Sequence, residues 1–230
     1  MSRVNVLRDH TSRVPELPAP AFRMGLSATQ LFRLQIGGDR IAAELAIPAG
    51  AKGVVVIASG DGRASQRFVL AVMHRHGLAT LRFVHRADAP DRKHADAAPD
   101  RLLEALEWLQ RHERWERMGL LTGGTEAREA LQAVALRPAC ASAIVIGAAD
   151  IDPAAVRPLR LRAPTLLIVG GRDEELLPRN RELLRQLQGE KRLELVPGAG
   201  RRFEEPGALD AMAQMAARWF VDHTDGAAAA

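Results

Sequence analysis

The chain's chemistry-bearing residues gather at three glycine turns. Met118-Gly119-Leu120-Leu121-Thr122-Gly123-Gly124-Thr125-Glu126-Ala127 reads as a short buried strand, a glycine turn and a helix. Such a turn presents one side chain and a row of free backbone N–H groups at the carboxyl edge of a sheet, where a hydroxyl could attack a carbonyl carbon. Gly124 holds the exposed place and has no side chain. Asp173 follows Gly170-Gly171-Arg172 after an apolar run. Gly198-Ala199-Gly200-Arg201-Arg202-Phe203 is the third glycine turn and carries Arg201. A guanidinium stays protonated at any working pH and accepts no proton.

The elements that must position these groups alternate. Residues 31–36 and 41–47, joined across Gly37-Gly38-Asp39, predict an antiparallel hairpin. Val54-Val55-Val56-Ile57-Ala58 is a continuous apolar run, as expected of a strand buried on both faces. Helical spacing over residues 64–76 and a strand at 78–84 come next. A charged surface loop then runs to Pro99, and a helix striped by Leu102, Leu103, Leu106 and Leu109 begins there. Further strands are expected at residues 142–146, 164–169 and 192–196, a helix around 182–187, and a final helix over 206–223. Residues 148–162 read as a loop. This order predicts an α/β fold: a mostly parallel central sheet, an N-terminal antiparallel hairpin and helices on both faces. One domain is expected over residues 31–223, with an arm at 1–30 broken by Pro15, Pro18 and Pro20, and a loose tail at 224–230. Ligands in such sheets bind outside the carboxyl ends of the strands.

Composition narrows the function classes. The chain has 230 residues, enough for one full core, and a formal net charge of only +4. Arginine supplies nearly all the positive charge, but it is scattered among acids along helices, and tyrosine is absent. That speaks against nucleic acid, which needs a basic stripe or stacking aromatics. No apolar run reaches the roughly 18 residues of a membrane span, and residues 1–13 carry no signal-type apolar core. A cytoplasmic protein is the expectation. Cys140 stands alone in an apolar stretch, which excludes an internal disulfide and suggests an inert core thiol. His74, His76, His94 and His112 read as solvated, and His85 as a surface-loop residue. No histidine–acid spacing suggests a metal, and Gly60-x-Gly62 lacks both the third glycine of a dinucleotide fingerprint and a P-loop lysine. No cofactor is expected.

The glycine turns, taken with Pro164–Asp173, Gly189-Glu-Lys-Arg-Leu-Glu-Leu-Val-Pro-Gly198 and Phe203-Glu-Glu-Pro-Gly-Ala-Leu209, resemble the α/β-hydrolase superfamily, most closely its dienelactone-hydrolase-like branch. The resemblance covers about residues 30–222. It implies a Ser–His–acid triad and a two-donor oxyanion hole. Members carry Gly-x-Ser-x-Gly at the turn, and here the matching residues are Thr122-Gly123-Gly124-Thr125-Glu126. The resemblance therefore places Gly124 at the nucleophile position, Arg201 at the histidine position and Asp173 at the acid position. The first oxyanion segment, often His-Gly, reads Ser59-Gly60.

A triad of which only the acid survives implies a catalytically silent homologue, a pseudoenzyme that binds a ligand or a protein partner. The alternative is an ester or lactone hydrolase with an unconventional nucleophile such as Thr125. Two readings of Arg201 stay open. In one, Ser59, Gly60, Gly123, Gly124, Thr125 and Arg201 form a site for a small anion at a helix N-terminus. In the other, Arg201 pairs with Asp173 and the old pocket is structural.

Overall fold

The computed structural model describes residues 26–36, 39–58, 63–83, 99–112, 115–156 and 160–224. Among the described residues, eight strands form one sheet: β1 (Leu26–Ile36), β2 (Asp39–Pro48), β3 (Gly53–Ala58), β4 (Leu78–Phe83), β5 (Met118–Gly123), β6 (Ala143–Gly147), β7 (Thr165–Gly170) and β8 (Lys191–Val196). Their spatial order is β1-β2-β4-β3-β5-β6-β7-β8. The β1–β2 hairpin is antiparallel, β2 joins β4 antiparallel, and every later pairing is parallel. Among the described residues, six α-helices connect or cover the strands: α1 (Arg63–Arg75), α2 (Pro99–His112), α3 (Ala127–Leu136), α4 (Pro153–Val156), α5 (Leu176–Gln186) and α6 (Ala208–Thr224).

The central strands are apolar on both sides because both sides are covered. All six residues of β3 and of β7 are buried. Alternate side chains enter two cores. Val54, Val56, Leu120, Ile144 and Ile146 pack with Leu102, Leu106 and Leu109 of α2 and Leu131 and Val134 of α3. Val55, Ile57, Leu121, Val145 and Ile168 pack with Val72 and Met73 of α1 and Ala213, Ala216 and Phe220 of α6. No helix of the described residues is long and apolar enough to cross a membrane.

The structure departs from the sequence expectations at several places. The first strand begins at Leu26, inside the stretch expected to be an arm. α4 forms one turn within the expected 148–162 loop, with the Ala154 N–H donating to Asp152 Oδ1 at its start (2.9 Å). α5 starts at Leu176, ahead of the apolar spacing that suggested it. Its first turn is held by Asp173, whose Oδ1 accepts from the Leu176 N–H at 2.9 Å. His74 is half-buried rather than solvated; it shares a 2.8 Å hydrogen bond with Thr80, and burial lowers its pKa despite the nearby Glu44 carboxylate. Residues 1–25 and 225–230, with most of the expected arm and tail, lie outside the described residues.

Cys140 is buried, and burial pushes its thiol up to about 11. The thiolate is the reactive form. The folded protein is therefore expected to resist a thiol-specific disulfide reagent at neutral pH and to react at once in denaturant. Equal labelling rates in the two states would refute the buried placement.

Candidate functional site

The glycine turn after β5 carries the chain directly from strand to helix. Gly123 is extended, Gly124 to Glu126 make one 3₁₀ turn, and α3 follows. Gly124 has φ of +56°, a left-handed conformation that costs an L-residue roughly 1–2 kcal/mol and glycine almost nothing. Its carbonyl accepts from the Asp150 N–H at 3.0 Å, which ties the turn to the loop after β6. A Cβ placed on Gly124 would lie 3.3 Å from Glu126 Oε2. The Glu126 carboxylate thus stands beside the place of a side chain at 124.

The acid and the arginine come from two neighbouring turns. Asp173 is buried where β7 passes into α5. Its Oδ2 accepts from Arg201 Nε at 3.2 Å. Arg201 Nη2 donates to Glu175 Oε2 at 2.6 Å, and Nη1 lies 3.7 Å from Asp150 Oδ2. Arg179 closes a ring: its Nη1 donates to Asp150 Oδ1 at 3.1 Å, and its Nη2 lies 3.5 Å from Glu175 Oε1. The hydrogen bond to Asp173, reinforced by Glu175, raises the pKa of a group already charged at any working pH. The Arg201 side chain is 41% exposed against 5% for Asp173, so water screens much of the outer pairing.

The turn that bears Arg201 is itself clamped. Glu205 Oε1 accepts from the Gly200 N–H at 3.0 Å and from Arg172 Nη2 at 2.6 Å. The backbone bond from Gly200, helped by the Glu205 N–H and Arg172, holds the Glu205 carboxyl below its ordinary pKa. A depressed carboxylate contributes stability above its unfolded pKa and loses it as pH falls through the folded value. The melting-temperature gap between wild type and Glu205→Gln is therefore expected to shrink between about pH 5 and about pH 3. A gap that stays constant over that range would remove Glu205 as the clamp.

The structure brings together Gly124, Asp150, Asp173, Glu175, Arg179 and Arg201. Ser59, Gly60 and His85 lie outside the described residues. Three other histidines are committed elsewhere: His74 to Thr80, His76 to Gln214 and His223 to the Trp219 carbonyl. Among the described residues, no group of three or more His, Cys, Asp or Glu side chains could hold a metal ion. Thr125 is exposed and lines a cleft of about 390 Å³ with Arg128, Glu129, Asp150, Ile151, Asp152 and Ala155. A larger cleft of about 470 Å³ at the amino end of the sheet is lined by Glu107, Arg111, Leu136, Arg137 and Cys140, among others, and is remote from these turns. Sequence reasoning missed Asp150 and Arg179. It set Glu126 and Glu175 at the carboxyl edge of the sheet without giving either a partner, and Glu126 stood out because it replaces the second glycine of the elbow pattern.

No protein-family model matches the sequence. Two proteins of Mycobacterium tuberculosis, from strains CDC 1551 and H37Rv and provisionally named phosphoribosyl transferases, are each 34% identical over 197 residues. The match takes in 81% of this chain but 44% of theirs, so the chain spans less than half the length of these relatives. Dienelactone hydrolase from Anabaena variabilis superposes with a TM-score of 0.75 at 33% identity, over 86% of this chain and 98% of that one. The esterase domain of a Rhodothermus marinus protein (TM-score 0.69, 13% identity, 86% of this chain and 99% of that one) shares the fold. So does an alpha-beta serine hydrolase homologue from Coxiella burnetii (0.66, 16%, 82% and 96%). The eight-stranded, mostly parallel sheet and a third of the residues of a relative covered almost end to end agree: the chain belongs to the dienelactone-hydrolase branch of the α/β-hydrolase superfamily.

Proposed function

We propose that this chain is a catalytically silent dienelactone-hydrolase homologue that acts by binding a partner. One observation carries the reading. At the two places where acyl transfer needs a hydroxyl and a proton acceptor stand Gly124, with no side chain, and Arg201, with its guanidinium spent on Asp173, Glu175 and Asp150. Losing nucleophile or base alone costs several powers of ten in rate.

Of the two kinds of partner, a protein fits better than a small anion. An anion approaching Arg201 has to displace a carboxylate, and the adjoining cleft carries Glu129, Asp150 and Asp152 against Arg128 alone. Titration with phosphate, sulfate or acetate is expected to give no saturable binding. The mycobacterial relatives suggest the class of protein. More than half of each lies outside the match, and a second domain of that size has room for the transferase activity in their names. The partner in this reading is a phosphoribosyl transferase, on the same or a separate polypeptide.

The competing reading, an ester or lactone hydrolase using Thr125, has the exposure of that hydroxyl beside a cleft in its favour. A screen of short-chain activated esters separates the two. The silent reading expects turnover at the buffer rate in wild type and in Thr125→Ala. Wild-type turnover lost in Thr125→Ala would establish the hydrolase instead.

A further inference from the structure

β8 ends the sheet. It bonds to β7 on one side and, among the described residues, to no strand on the other. The carbonyls of Glu190 and Val196 accept from the Thr165 and Gly171 N–H groups of the β7 side. Peptide groups alternate along a strand, so those of Arg192 and Glu194 also face β7, and those of Lys191, Leu193 and Leu195 face outward. None of these three is proline, so each offers both a donor and an acceptor.

We propose that two copies of this chain pair antiparallel along β8, with Leu193 facing Leu193 of the second copy across the two-fold axis. Outward groups bond only to outward groups, so the register moves in steps that centre the axis on Arg192, Leu193 or Glu194. Centring on Arg192 or on Glu194 sets that charge opposite itself, which is repulsive. Centring on Leu193 sets Arg192 opposite Glu194 of the second copy, twice, in the non-hydrogen-bonded positions where side chains approach most closely. Both side chains are exposed, at 60% and 40%; within one chain they are loosely paired at 3.9 Å, and the Arg192 guanidinium lies 5.5 Å from the centre of the Trp219 ring. Leu195, an exposed large apolar residue, then packs along the stem of Lys191 of the second copy.

Lysine on an edge strand ordinarily guards against pairing. Here Lys191 Nζ donates to the Leu187 carbonyl at 2.7 Å, which draws its charge back onto its own chain.

Sedimentation velocity over a concentration series, with hydrogen exchange at the Leu193 and Leu195 amides, tests the pairing. Wild type is expected to shift from monomer to dimer as concentration rises, with those two amides protected only in the dimer. Arg192→Glu and Glu194→Arg should each weaken the dimer by about tenfold or more, because two attractive pairs become repulsive. Combining the two substitutions restores the complementarity and should restore the dimer. Circular dichroism confirms that each variant is folded. A wild type that stays monomeric at the highest concentration, or a combined variant no better than the single ones, overturns the proposal.

Discussion

Gly124→Ser, Glu126→Gly and Arg201→His, made together, are expected to turn the protein into a measurable esterase, while Gly124→Ser alone leaves it inert. The serine supplies the attacking oxygen, and the histidine supplies a base beside Asp173, which is already buried and holding the start of α5. The third change follows from the geometry around Glu126. A serine Cβ at 124 would meet the Glu126 carboxylate at 3.3 Å, and a negative charge there opposes the oxyanion that must form. The triple variant should exceed the Gly124→Ser/Arg201→His pair by about tenfold, and the wild type by about 10² to 10³, in hydrolysis of an activated acetate ester. Its labelling by a serine-reactive phosphonate should rise in parallel. A folded triple variant that neither turns over nor labels would show that these positions are not those of the family's triad.

The second large effect concerns the frame that holds Asp173 and Arg201 together. At Gly170, the last residue of β7, a Cβ would overlap the carbonyl oxygens of Gly200 and Ala199, the second at 2.5 Å. Both are backbone atoms of the clamped turn, so neither can yield by a rotamer change. Gly170→Ala is expected to cost more than about 3 kcal/mol in urea unfolding, as overpacking against rigid backbone does. Arg201→Ala, at the same junction, should cost only about 1–2 kcal/mol, because the guanidinium is half in water. If Gly170→Ala were as mild as Arg201→Ala, the two turns would not be pressed together as described.

The contrast between these substitutions marks how far the sequence could be read. The sheet was legible because its strands are buried on both faces: Val54-Val55-Val56-Ile57 and Leu166-Leu167-Ile168-Val169 leave no other economical placement. Asp173 was legible as the residue that closes β7's glycine turn. Its pairing with Arg201 stood as one of two readings, because charge type alone does not say whether an arginine finds an acid or a ligand. The other members of the ring were hidden. Arg179 meets Asp150 across 29 residues, and Glu175 meets Arg201 across 26, distances at which no local pattern records a contact. Asp150 sat in a stretch read as plain loop. Glu126 was visible as a departure from the elbow pattern, but its approach to Gly124 depends on the 3₁₀ turn, which spacing does not fix. α5 began earlier than its apolar stripe suggested because an Asp173 hydrogen bond, rather than packing, sets its first turn.

The most direct test of the silent site is the intact mass of the wild-type protein after exposure to a serine-reactive phosphonate, beside an active serine hydrolase as the standard. The account predicts complete labelling of the standard and an unchanged mass for this chain. A stoichiometric adduct on Thr125 or on any other hydroxyl, lost when that residue is replaced by alanine, would contradict it.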